Sequence, residues 1–95
     1  MASLPLTLNP EESFSIVIGE NLYNMRQLWN TNGYWTLDIR DQDNIALALG
    51  VPLFCGVNIT AQYPQIPFDL ECSERLDPTR NNLTDYSFEV TAKDV

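Results

Sequence analysis

Apolar residues recur at every second position over most of the chain, and a period of two is the signature of half-buried β-strands. Leu4, Leu6 and Leu8 alternate with polar or turn residues until Asn9-Pro10 breaks the segment. Phe14, Ile16 and Ile18 form the next series, with Val17 on the opposite face and Gly19 closing the run. Tyr23, Met25 and Trp29 share one face of a third strand, on which Gln27 is the polar exception. Leu22, Asn24, Arg26, Leu28 and Asn30 take its other face. Thr31-Asn32-Gly33 predicts a hairpin turn of type I′, because Asn-Gly accepts positive φ at both central positions. Trp35, Leu37 and Ile39 line one face of the strand that follows, which sets Trp29 and Trp35 across the ladder from each other.

The polar turn Asp41-Gln42-Asp43-Asn44 leads into a second hairpin. Ile45, Leu47 and Leu49 alternate with Ala, and so short a piece before Gly50 is too small for a stable helix, so a strand is expected. Leu53, Cys55, Val57 and Ile59 continue the alternation past Pro52 and around Gly56. Tyr63-Pro64-Gln65-Ile66-Pro67 reads as an extended loop, since each Pro drives its predecessor out of the helical region. Phe68, Leu70 and Cys72 make a short strand. Residues 76–84 are polar, contain Asp77-Pro78 and Asn81-Asn82, and read as a second loop. Tyr86, Phe88 and Val90 form a last strand, and 91–95 are expected to fray.

These elements predict one all-β domain over 1–95, a small antiparallel β-barrel or β-sandwich of about six to eight short strands. Tyr23, Trp29, Trp35, Leu37 and Ile39 are the expected core of the central hairpin, with Asn32 and Gly33 setting its turn. The two loops are long for so small a domain, which makes Tyr63, Ile66, Phe68, Leu76, Arg80 and Leu83 the candidate interface residues.

Composition narrows the function more than the fold. Five basic residues against thirteen acidic ones leave a net charge of −8. Such a surface repels a phosphate backbone and an anionic membrane, so neither nucleic acid nor membrane is an expected partner. No apolar run is long enough to span a bilayer, and the first eight residues lack the pattern of a signal peptide. Folding in the cytoplasm is therefore expected, with Cys55 and Cys72 as free, buried thiols. The sequons at Asn58 and Asn82 carry no weight without a secretion signal.

The chain has no histidine, which removes His-based acid–base chemistry, the usual nucleophile triads and His metal sites. No phosphate-binding or dinucleotide-binding glycine motif occurs. Asp38, Asp41 and Asp43 are the densest carboxylate group, but Ile45 occupies the fifth position of a loop starting at Asp41 and no Gly follows, so a solvated turn explains them better than a calcium loop. No catalytic residue, cofactor or metal is expected. Arg26 and Arg40 lie on strands that the hairpin pairs, within reach of Asp38, and a surface bridge of that kind contributes only about 0–1 kcal/mol. Two other readings stay open. A small carbohydrate-binding β-sandwich would display Trp29, Trp35 or Tyr34 as an exposed aromatic platform, and a small hydrolase would converge two carboxylates in a cleft.

Leu22-Tyr23-x-Met25-x-x-x-Trp29-Asn30, then Trp35-x-Leu37-Asp38-Ile39, then a polar turn and an apolar segment ending in Gly50-Val51-Pro52-Leu53 and Gly56-Val57, resembles one family. The chain is similar to the small baseplate plug proteins of contractile-tailed bacteriophages, of the type described for a cyanophage. The late segment from Asp77-Pro78 to Val90 is similar as well, so the likeness covers nearly the whole chain. It departs at Asp41-Gln42-Asp43-Asn44, where a Gly is expected near the end, and at Thr84, where a Gly is common. The resemblance implies a structural protein of the virion, made in the host cytoplasm and seated in the central baseplate between hub–spike and tail tube. It further implies closure of the lumen until contraction, homo-oligomeric assembly, and hub, spike and tube or sheath-initiator proteins as partners. The family carries no catalytic residue to transfer.

Overall fold

The computed structural model describes residues 2–92. Four strands form an antiparallel meander in chain order: β2 (Glu11–Ile18), β3 (Asn21–Asn30), β4 (Tyr34–Arg40) and β5 (Ala46–Pro52). A second sheet has the order β1-β7-β6, built from β1 (Ala2–Ser3), β6 (Phe68–Glu71) and β7 (Glu89–Ala92). A single 3-10 turn, Leu83–Asp85, interrupts the connection before β7. The strands thus belong to two antiparallel sheets and do not close into a barrel.

The meander is built by local turns. Gly19 takes the first position of the two-residue β2–β3 connection with a φ of 65°, a conformation that L side chains resist. The β3–β4 turn differs from the type I′ expectation. Pairing of Asn30 with Tyr34 leaves three residues in the connection, and of these only Gly33 has positive φ. Its N–H donates to the Asn30 carbonyl at 2.9 Å, while the Asn32 N–H donates to Asn30 Oδ1 at 2.8 Å. Three-residue hairpin loops need a left-handed residue only at their end, so Asn32 is released from that requirement. In the next turn Asn44 stands at a φ of 63°, the place where the family pattern leads one to expect Gly. Asn tolerates this region better than most residues.

Apolar side chains from both sheets meet between them. Trp35, Leu37, Ile39 and Val51 from the first sheet face Phe68, Leu70 and Val90 from the second, all of them buried. The rings of Tyr23 and Phe68 bridge the layers edge-on at 5.1 Å. Three sequence expectations shift. Residues 4–8 are not a strand; the pairing falls on Ala2–Ser3, and the Leu4 N–H donates to the Phe88 carbonyl at 2.9 Å. The alternating run from Leu53 to Ile59 is not a strand either, because its backbone contacts, an isolated Asn58–Glu71 bridge flanked by single hydrogen bonds at Gly56 and Ile59, are too sparse to make a ladder. The last strand begins at Glu89 rather than Tyr86 and includes Thr91 and Ala92; the remainder of the expected frayed end, 93–95, lies outside the described residues.

Candidate functional site

Gln27, the polar exception on the inner face of β3, is fully buried. Its amide donates to the carbonyls of Thr7 and Asn9, each at 2.8 Å, and its oxygen accepts the Thr7 N–H at 2.9 Å. It therefore ties the strandless segment after β1 to the sheet. On the outer face, Arg26 and Asp38 are direct cross-strand partners joined at 2.9 Å. This is not the surface bridge that the sequence suggests. The Asp38 side chain is only 7% exposed, and its second oxygen accepts the Gly50 N–H at 2.8 Å where the β4–β5 register shifts. Arg40 takes no part in it among the described residues. Asp38→Asn removes the charge opposite a half-buried guanidinium and should cost about 1–3 kcal/mol in urea unfolding; an unchanged midpoint would return the pair to the weak surface class.

The loop residues fall into two groups. Ile66, Phe68 and Leu83 are wholly buried in the chain's own core, which removes their side chains from any surface open to a partner. Their apolar character reflects core packing, which a loop-length argument cannot distinguish from docking. Tyr63 and Arg80 are partly exposed and Leu76 is 76% exposed. Loop 76–84 is anchored at several points. Trp35 Nε1 donates to the Thr79 carbonyl at 2.9 Å, Arg80 Nη1 donates to the Leu8 carbonyl at 2.7 Å, and the Asp77 carboxylate accepts the Cys55 N–H at 2.8 Å. The Arg80 guanidinium also lies 5.5 Å from the centre of the Trp35 ring. Of the hairpin residues, Tyr23, Trp35, Leu37 and Ile39 are buried, while Trp29 is half-buried and meets Trp35 edge-on at 5.3 Å.

Two surface features were not singled out by sequence reasoning. The first is the outer face of β6 and β7. Glu71 and Glu89 stand directly opposite each other there, both exposed, with Asp69 on the same stretch of β6. Like charges in direct cross-strand register repel, so this face is acidic at some expense of stability. Only register, which depends on the fold, reveals it. The second is the free edge of β2. It pairs with β3 over all eight residues without a bulge and has no sheet neighbour on its other side among the described residues. The opposite edge, β5, is instead blunted by register shifts and by Pro52.

Among the described residues, no group of three or more His, Cys, Asp or Glu is placed to hold a metal ion. Asp38 serves Arg26 and Gly50, whereas Asp41 accepts the N–H groups of Asp43 and Ile45 and shapes its own turn. The two cysteines do approach each other. Burial pushes the Cys55 thiol well above the usual thiol range, and the hydrogen bond to Cys72 and the nearby carboxylates of Asp77 and Glu74 push the same way.

Comparison with known proteins agrees with an assembly component. The family model described as cyanophage baseplate Pam3 plug gp18 matches residues 1–94. Among curated proteins nothing matches. The match extends over both sheets and both loops, and on that coverage this chain belongs to the cyanophage baseplate plug family, structural proteins of the phage tail baseplate.

Proposed function

We propose that the chain, acting as a single domain over 1–95, plugs the central lumen of a contractile-tail baseplate and docks on the hub, spike and tube or sheath-initiator proteins around it. Membership of the plug family carries this reading. Its role is structural rather than enzymatic. The acidic face of β6 and β7 suits a basic wall on a neighbouring protein, which would relieve the Glu71–Glu89 repulsion. The open β2 edge suits strand addition by an adjacent chain, including a second copy in a symmetric ring. Synthesis takes place in the host cytoplasm before incorporation into the virion. For the sugar-binding alternative, Trp35 is fully buried and the half-buried Trp29 packs against it, which leaves Tyr34, partly exposed beside Phe54, as its remaining aromatic candidate.

Size exclusion with light scattering, alone and with the hub proteins of the same tail, tests the assignment. A ring or a stable complex with the hub is the expected result; a monomer that ignores every central baseplate protein would overturn it. Glu71→Lys separates stability from docking. It should stabilise the isolated chain by roughly 0.2–1 kcal/mol by turning a like-charge pair into an opposite one. The same substitution should weaken hub binding, and binding that is unaffected or improved would remove the acidic face from the interface.

A further inference from the structure

The Cys55 and Cys72 sulfurs lie 2.7 Å apart and are separate thiols. A formed disulfide needs ~2.05 Å. The backbone on either side of the gap is already held in register. The Gly56 N–H donates to the Cys72 carbonyl at 2.8 Å, the Ile59 N–H donates to the Leu70 carbonyl at 2.8 Å, and Asn58 bridges to Glu71. The Cys55 N–H is fixed as well, by Asp77. Closing the bond thus calls for small side-chain rotations rather than backbone movement.

We propose that Cys55 and Cys72 form an intrachain disulfide when the protein meets a low-molecular-weight disulfide, and that this bond staples the irregular segment 53–67 to the chain just past the end of β6. The location follows from the geometry alone and does not depend on which baseplate proteins the chain touches. Virion proteins leave the reducing cytoplasm on release, which supplies the oxidising setting. Cys55 is partly exposed and Cys72 is 2% exposed, so Cys55 meets the oxidant first. Burial and the nearby carboxylates of Asp77 and Glu74 keep its thiol protonated most of the time, so loss of that proton is the slow step; the thiolate then attacks one sulfur of glutathione disulfide and expels one glutathione thiolate, leaving a mixed disulfide. The Cys72 thiol loses a proton, attacks the Cys55 sulfur and expels the second glutathione thiolate. The two protein thiols are oxidised, one glutathione disulfide is reduced to two glutathione molecules, and the two protons reside on them.

The experiment incubates the reduced full chain with glutathione disulfide at mildly alkaline pH, removes the reagent and alkylates any remaining thiol. The expected product is monomeric, lighter than the reduced chain by two hydrogen atoms, and inert to alkylation. Cleavage of the denatured chain after Phe68, between the cysteines, should leave the Cys55 and Cys72 peptides joined until a reductant is added. The loop spans 17 positions, and constraining the unfolded chain over such a loop should raise Tm by about 10–20 °C relative to the reduced protein. The Cys55→Ser chain should show neither the mass change nor the Tm shift. A glutathione adduct persisting on either cysteine, a disulfide-linked dimer, or two thiols that still alkylate would overturn the proposal. A Tm that does not move once the bond is formed would overturn the staple.

Discussion

Trp35→Ala is expected to destabilise the protein by about 3–5 kcal/mol, the range for deleting a fully buried large aromatic side chain. That is a large share of the total stability of a domain of this size. The ring has no exposed surface, and the indole has three distinct roles. It packs edge-on against Trp29, its Nε1 holds loop 76–84 through the Thr79 carbonyl, and it lies beneath the Arg80 guanidinium. Removing it opens a cavity between the sheets and leaves the Thr79 carbonyl without that donor. Circular dichroism across a urea series reads the loss directly. Trp35→Phe keeps most of the apolar contact but not the hydrogen bond, and should cost less than Trp35→Ala. Trp29→Ala should also cost less, because that ring is half-buried. If Trp29→Ala proves as damaging as Trp35→Ala, the core is organised around a different residue.

Gln27→Leu should cost about 2–4 kcal/mol although it puts an apolar side chain into an apolar layer. The amide group satisfies the Thr7 N–H and the carbonyls of Thr7 and Asn9. A leucine of similar size fills the space and leaves those backbone groups without partners, and an unmade buried hydrogen bond is more harmful than a made one is helpful. Hydrogen exchange gives a specific signature. The Thr7 amide should lose protection by more than the global change in stability, because the segment between β1 and β2 has lost its anchor. A stable Gln27→Leu chain with a protected Thr7 amide would show that the segment holds itself in place.

Much of the meander was legible because its causes are local. The alternation of Phe14, Ile16 and Ile18, of Tyr23 and Met25, and of Trp35, Leu37 and Ile39 determines which face of each strand turns inward, and a period of two admits no other arrangement. Short turns at Gly19, Gly33 and Asn44 hold consecutive strands together, so the pairing of Trp29 with Trp35 followed from the sequence. The same alternation misled at Leu53 to Ile59, since a strand also needs a neighbour to bond with, and the neighbour is a property of the whole chain. Ile66, Phe68 and Leu83 looked like docking residues because loop length is visible in a sequence and burial is not. Gln27 was visible as an exception, but its partners at Thr7 and Asn9 are 20 and 18 positions away.

The sequence by itself determined an all-β chain, its central hairpins, its acidic character, its lack of histidine chemistry and its likeness to baseplate plugs. These depend on residue type and short-range spacing. Only the tertiary structure decided the second sheet, in which the N-terminal strand pairs with the last one, and with it the Glu71–Glu89 face and the meeting of Cys55 with Cys72. Those contacts join residues far apart in the chain, and no local propensity encodes them; they arise because two sheets must bury their apolar faces against each other.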